Sequence, residues 1–377
     1  MKKKLYQFLS IIKLFFSLSE ILIGFKKKKP KFVFFSENKT YQNYSTPIIE
    51  TLIKKYSHQV YYFSIDKEDV IENKNIKNYY VNPLLLNYFF NNIKCENMFL
   101  TVTDLGNSFP KKTENVDKYI YYFHAPVSTT KNYKPKAFDN YDIIFCNGQF
   151  QIDEIKYRES IKRLKNKKLI PTGYFYFDYL KENINNDIIS DEILIAPSWN
   201  LNLKNYINEN FFELIHTLLK KKIKVTFRPH PENLKRSKDV LDKVKNKFLC
   251  ENFTFDTDFN NIKSMEKARC LITDSSGIAL EYLILFKRPV LYLDEHDKIH
   301  NSEFKEFASF KTIDHTFREN FGYLFNSNDF ENIETIIKNS EKNFMKNLYK
   351  LDGDIKNIFS NYGKTKEYLY KNMDKIF

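Results

Sequence analysis

The chain reads as an α/β protein: two Rossmann-like domains facing a cleft, with an N-terminal amphipathic helix and a C-terminal helical segment. Three observations predict this. Its 377 residues suffice for two α/β domains of ordinary size, each with its own core. From Lys31 onward, short apolar runs rich in β-branched and aromatic residues alternate with longer amphipathic stretches, the pattern of βαβ units and parallel sheets. The alternation pauses in the polar, aperiodic KENINNDIIS at 181–190 and then begins again, as a linker between two such domains requires.

The first strand is KFVFF (31–35). A polar loop follows it with Glu37, Asn38 and Lys39, and then a helix spans Pro47 to Tyr56. Further strands are expected at QVYYFSI, NMFLTV, KYIYYFHA, DIIFCNG and KKLIPTGY, enough for one doubly wound domain. The second series starts with the strand ILIAPSW, a helix over Tyr206 to Lys221, and the strand IKVTFRPHP. A helix over Lys235 to Lys247, the short strand FTF, a helix over Asn260 to Ala268, the strand and turn CLITDSSG, a helix over Ile278 to Phe286 and the strand PVLYLD complete it. From about Asp329 the chain is mainly helical and can pack back across the linker. The expected organisation is therefore a basic N-terminal segment at 1–30, a first Rossmann-like domain at 31–180, a second at 191–345 and a helical tail at 346–377.

A formal net charge of +13 points to an anionic partner: nucleic acid, an anionic membrane surface or a phosphorylated substrate. Cys95, Cys146, Cys250 and Cys270 are widely spaced with no CxxC pair, which fits a reducing compartment and no structural zinc. At the N-terminus, Lys2 to Lys4 and Lys26 to Lys29 bracket FLSIIKLFFSLSEILIGF. Lys13 and Glu20 interrupt that stretch and no small-residue cleavage site follows it, so it is not a clean spanning helix. It is either an in-plane amphipathic helix drawn to anionic lipid or an ordinary helix packed on the first domain.

Three motifs carry the chemistry. In CLITDSSGIALE (270–281) a buried strand runs through small hydroxyl residues and a glycine into a helix. Such a turn offers backbone N–H groups and a positive dipole end to an anion. Thr273, Asp274, Ser275, Ser276 and Gly277 line it, and Glu281 can accept from ribose hydroxyls; alternatively Asp274 or Ser275 merely caps the helix. In FRPHP (227–231) Arg228 offers a bidentate fork for phosphate. His230 can donate to a phosphoryl oxygen or transfer a proton, at the strand end where ligands of open α/β sheets collect. In YYFHAPVS (121–128) His124 again ends an apolar strand, either as a general base for an acceptor hydroxyl or as a strand end bonded to a loop.

Together these segments resemble the CDP-glycerol glycerophosphotransferase family, the teichoic-acid primases and polymerases of the GT-B fold. The resemblance runs from about Lys31 to Leu293. KFVFFSENKTYQNYSTPIIETL looks like the family's opening strand, asparagine-bearing loop and helix, and FHAPVSTTK stands where the family has its His-Gly loop. IPTGYFYFDYL looks like its Gly-Tyr-Pro turn, and RPHPE and LITDSSGIALEY match its two donor-site motifs. The resemblance implies attack of an acceptor hydroxyl on the β-phosphorus of a CDP-alditol, releasing CMP without a metal or cofactor. His124 would be the base, Arg228, His230, Ser275 and Ser276 would hold the pyrophosphate, and Asn38, Ser128 and Lys131 would lie on the acceptor side. It further implies a membrane-bound or lipid-linked glycan acceptor and a cytoplasmic protein, peripheral on the inner face of the membrane. Three departures stand out: Ala125 replaces the glycine after the first histidine, PVSTTKNY differs from the usual acceptor loop, and Gly277 stands where a second serine is usual.

The C-terminal pattern is also similar to nucleotide-sugar enzymes of the same fold, including UDP-sugar 2-epimerases, so a sugar transferase is the runner-up. A basic lipid- or nucleic-acid-binding module ranks third, because the lysines are spread over nearly every helix face; no nucleic-acid partner is expected. Asp256-Thr-Asp258 has the form of a metal-binding DxD, but its place before a helix suits capping aspartates. His296 and His300 lie four apart in EHDKIH with no third ligand placed, as at a solvated helix start. No P-loop lysine, GxSxG elbow or HExxH occurs, against an NTPase, a serine hydrolase and a zinc protease.

Overall fold

The computed structural model describes residues 2–185, 190–199, 207, 209–258, 262–293 and 299–377, with side chains from Leu9 onward. They fall into two compact units. The first comprises Met1–His124, Tyr133–Tyr179 and Phe359–Phe377; the second comprises Ala125–Asn132 and Leu180–Ile358.

The first unit holds seven strands: β1 (Phe32–Ser36), β2 (Val60–Ser64), β3 (Ile76–Tyr80), β4 (Cys95–Leu100), β5 (Val116–Tyr122), β6 (Ile143–Phe145) and β7 (Lys168–Ile170). They pair in the order β3-β2-β1-β4-β5-β6-β7, every pair parallel. Strand β1 is buried at every position and apolar from Phe32 to Phe35, as expected when both faces of a parallel sheet are covered. Phe34 of β1 lies flat against Phe99 of β4, ring centroids 4.3 Å apart and planes 3° from parallel. The C-terminal helix Thr365–Ile376 returns to this unit and buries Leu369, Met373 and Ile376 in the same core. Asp178 fastens that return by accepting from the backbone N–H groups of Gly363 and Thr365 and from the Thr365 hydroxyl. Gly173 makes it possible: its φ is +85°, and a Cβ there would lie 2.0 Å from the Ser360 carbonyl oxygen.

Helix Lys2–Lys27 lays Leu18, Leu22 and Phe25 on the first unit, with Phe25 edge-on to Tyr61. The packed-helix reading of the N-terminus is therefore met on one face. On another, Leu9, Phe16 and Ile23, two turns apart, are 55%, 66% and 52% exposed. Among the described residues no helix is long and apolar enough to cross a membrane.

The second unit holds six strands: β8 (Glu192–Ile195), β9 (Val225–Phe227), β10 (Phe253–Phe255), β11 (Ala268–Thr273), β12 (Val290–Leu293) and β13 (Gly322–Phe325). Their order is β10-β9-β8-β11-β12-β13, again all parallel. Strand β13 is not among the strands expected from the sequence, and neither is β3. The helix expected over Lys235 to Lys247 is two helices, Pro231–Arg236 and Lys238–Lys247, broken at Ser237. Tyr206, Asn260 and four residues of the expected linker, 186–189, lie outside the described residues.

Candidate functional site

In the second unit the chain runs from β8 outward through β9 to β10, then restarts at β11 and runs the other way. The order reverses between β8 and β11, and ligands of open α/β sheets bind beyond the carboxyl ends of the strands at such a point. Three loops emerge there: Ala196–Trp199 after β8, Arg228–His230 after β9 and Asp274–Gly277 after β11.

The β8 and β11 loops are tied to each other. Asp274 is buried and accepts from the Ser198 N–H at 2.8 Å and the Ser198 hydroxyl at 2.7 Å. The Thr273 hydroxyl donates to the Ala196 carbonyl at 2.6 Å, and Asn233 donates to the Ser198 carbonyl at 3.2 Å. Thr273 and Asp274 are thus anchors that shape the turn. With Asp274 so occupied, helix Ile278–Phe286 begins at Gly277 with no side-chain cap. The capping alternative for Asp274 and Ser275 is not realised. The Ala279 N–H donates to the Ser276 carbonyl at 3.1 Å and the Leu280 N–H to that of Gly277 at 3.2 Å, so it is the foremost N–H groups, at Gly277 and Ile278, that stand at the half-buried Ser275–Gly277 turn. Gly277 has an ordinary helical φ of −60°, so no backbone strain demands glycine. Glu281 is buried one turn further on.

Arg228 leaves β9 with its backbone N–H bonded to Ile195 of β8. Its guanidinium donates to Asp256 Oδ2 at 2.5 Å and to the Asp258 carbonyl at 2.6 Å. Asp256 also accepts from the Asp258 N–H through Oδ1, so this acid closes a turn and holds an arginine where helix capping was expected. His230 caps helix Pro231–Arg236, its Nδ1 accepting from the Glu232 N–H at 3.1 Å. A ring nitrogen that accepts carries no proton, so the neutral imidazole is protonated on Nε2 and is a donor there.

The segment Ala125–Asn132 groups with the second unit. Val127 sits beside the β11 turn, its Cγ1 3.5 Å from where a Gly277 Cβ would stand. Ser128 is fully buried with its hydroxyl 3.0 Å from that of Thr130. Lys131 is fully buried; its ammonium lies 2.7 Å from Asp314 and 3.0 Å from His315 Nε2, and its carbonyl accepts from the N–H groups of His300 and Asn301. His300 belongs to this irregular backbone and not to a helix start, and His296 lies outside the described residues. Among the described residues no cluster of metal-ligating side chains forms.

In the first unit the strand order reverses between β1 and β4. Asn38 follows β1 and caps the short helical turn Lys39–Tyr41, accepting from Thr40 N at 2.9 Å. Past β5, His124 is packed edge-on to Tyr41 and Tyr44, ring centroids 5.3 and 6.3 Å away. Its Nδ1 is buried and makes no hydrogen bond, and burial lowers its pKa to about 4. Desolvation disfavours the charged ring, so His124 is held neutral. Nδ1 therefore does not make the loop hydrogen bond weighed as an alternative for this residue.

No family model matches the sequence, and no curated protein does. Among solved structures, the chain is similar to the wall teichoic acid polymerase TagF, with 17% identity, 92% of this chain and 89% of that one covered, and a TM-score of 0.61. The fold is GT-B. Two further GT-B neighbours are S. aureus MnaA with UDP, at 13% identity, 92% and 96% coverage and a TM-score of 0.60, and a UDP-GlcNAc 2-epimerase from Neisseria meningitidis bound to UDP-GlcNAc, at 14%, 92% and 100%, and 0.57. The GT-B architecture explains why the polar loops of both units lie at carboxyl strand ends. Two features of the second unit lie outside the three motifs yet are marked in the sequence: Trp199 is the lone tryptophan, and Ser198 follows a proline at a strand end.

Proposed function

We propose that the protein is a transferase that moves an alditol phosphate, glycerol- or ribitol-phosphate, from a CDP-linked donor to a hydroxyl of a cell-surface glycan or lipid-linked acceptor. The observation that carries this reading is the uncapped start of helix Ile278–Phe286 at the strand-order reversal, with Arg228 and His230 leaving the adjacent loop. A helix N-terminus, two hydroxyls, a guanidinium and an Nε2–H donor make an anion site of diphosphate character. A structure of a TagF variant soaked with CDPG is among the neighbours, which supports trying a CDP-linked donor first among the diphosphates.

In this mechanism the acceptor oxygen forms a bond to the β-phosphorus while the bond to the CMP oxygen breaks. His124 takes the acceptor proton; being neutral across the physiological range, it is in the form a base requires. Ser275, Ser276, the helix start and His230 stabilise charge on the phosphoryl oxygens and on departing CMP. Arg228 joins them by exchanging Asp256 for phosphate, so binding does not leave the arginine's charge bare. Glu281 is proposed to receive ribose hydroxyls, and Asn38, Ser128 and Lys131 to shape the acceptor side without direct proton transfer. The step needs no cofactor and no metal of the protein's own.

Helix Lys2–Lys27 is proposed to rest on the inner surface of the cell membrane, with Leu9, Phe16 and Ile23 in the acyl boundary and its basic ends on anionic headgroups. That places a cytoplasmic, peripheral enzyme beside a lipid-linked acceptor.

The test is donor turnover. CDP-glycerol and CDP-ribitol, incubated with lipid-linked acceptor, are expected to release CMP. Release of UDP or CMP from a nucleotide sugar alone would move the assignment to the second reading, a nucleotide-sugar enzyme, which the two UDP-bound neighbours favour.

A further inference from the structure

Trp199 is the single tryptophan of the chain. It stands at the carboxyl end of β8, beside the point where the strand order reverses, on a loop whose preceding residue is held at three atoms: Ser198 N and Oγ by Asp274 and Ser198 O by Asn233. A loop fixed this way presents its side chain in one place, as a binding residue requires. Its ring neighbours are polar-edged. The His230 imidazole lies 6.0 Å away, inclined 34°, the His300 imidazole 5.4 Å away, edge-on, and the Arg236 guanidinium 5.6 Å above the indole.

The Arg236 side chain is 62% exposed and also bonds Glu232, so its hold on the indole face is one that water already contests. A flat heterocycle can share or replace that position, because any base has a π-face that stacks on an aromatic ring. His230, whose Nε2–H is proposed to meet phosphate, adjoins the same ring. A nucleotide carries its base and its phosphate with only a ribose between them, and the two protein groups are correspondingly close neighbours.

We infer that Trp199 is the stacking platform for the nucleobase of the donor. The inference rests on the nucleotide-donor reading above and adds to it a binding residue and a division of labour: Trp199 takes the base and the β9 and β11 loops take the diphosphate. Stacking is tolerant of base identity, so Trp199 supplies affinity for nucleotides as a class and leaves the choice of base to hydrogen-bonding groups.

Because the tryptophan is unique, its emission reports the site directly in the full-length protein. CDP is expected to shift or quench it, whereas inorganic pyrophosphate is expected to bind, as read by calorimetry, and to leave the emission unchanged. Trp199→Leu, which keeps an apolar side chain without a π-face, is expected to weaken CDP about ten- to a hundredfold, the range measured for base–aromatic stacking, while pyrophosphate binding and the melting temperature hold. Trp199→Phe should recover most of the loss. If calorimetry shows CDP binding wild type and Trp199→Leu equally, the platform is wrong and the donor reading survives. If neither CDP nor pyrophosphate binds wild type, the donor reading has failed and the platform fails with it.

Discussion

The two units build opposite surroundings on one architecture. Each is a parallel sheet whose strand order reverses once, and each sends its unusual residues out at carboxyl strand ends. In the first unit that end is aromatic, with His124 set against Tyr41 and Tyr44 and its Nδ1 without a hydrogen bond. In the second it is polar and donor-rich, with an uncapped helix start, the Nε2–H of His230 and the Arg228 guanidinium. A dry neutral imidazole can accept a proton but holds an anion poorly; a ring of donors holds an anion but has no base to offer. The contrast teaches that the fold supplies a location and the loops supply the reaction.

The sharpest way to break this comparison is to remove one group from each side. His124→Ala is expected to lower turnover by about 10²–10⁴, the usual contribution of a positioned base, while calorimetric binding of CDP stays close to wild type. Arg228→Ala is expected to act on binding instead, weakening CDP by roughly tenfold or more, as loss of one charge-assisted hydrogen bond does. An Arg228 variant that bound CDP normally and lost only turnover would dissolve the division between the units.

The next test concerns what ties the Ala125–Asn132 segment down. Lys131 is buried against Asp314, and removing one member of a buried pair strands the other. Asp314 keeps 24% of its side chain exposed and so can recover some hydration. Lys131→Ala should therefore cost about 3 kcal/mol, the lower end for such pairs, read as a fall in denaturation midpoint. Lys131→Met, which fills the same space, should cost as much if the ion pair matters and much less if only packing does.

The segment also shows what was and was not legible in the sequence. Alternating apolar runs gave both sheets, and His230 and Arg228 stand at the strand end where FRPHP put them. Strand β3, IKNYY, escaped because only its first position is buried, and β13, GYLF, because it is short and half exposed. An edge strand has little apolar face to announce it. Long-range partners left no local trace. Nothing in DxD spacing says that Asp256 meets Arg228 twenty-eight positions earlier, and nothing in STTK says that Lys131 is neutralised by Asp314. The same holds for Asp274, which looks like a cap and spends both oxygens on Ser198. Spacing exposes what a helix or strand does with its own residues, whereas pairs between elements need the tertiary fold.

A third test uses pH. His124 has a folded pKa of about 4 against an ordinary 6.5. Between those values the unfolded chain binds a proton that the folded chain refuses, so stability is full above pH 6.5 and falls as the pH drops toward 4. The loss from this one group reaches about 3 kcal/mol at pH 4. Chemical denaturation at pH 7 and pH 4.5 should show a smaller acid loss in His124→Gln than in wild type. Equal losses would mean that the ring is not desolvated, and with it would go the contrast of a dry unit against a wet one.

The smallest effect on the fold is expected at Gly277. Its φ is helical and a Cβ would meet nothing nearer than Val127 Cγ1 at 3.5 Å, an ordinary contact. Gly277→Ala should therefore change stability by less than about 1 kcal/mol, with reduced freedom of the unfolded chain offsetting the weaker helix start. If a phosphate comes down onto these N–H groups, however, the added methyl stands in its way, and the affinity for pyrophosphate should fall severalfold in a protein that melts normally. Glycine is then kept for the ligand's approach and not for the backbone. A variant that keeps both its melting temperature and its pyrophosphate affinity would move the anion away from this helix start and leave Arg228 and His230 to hold it alone.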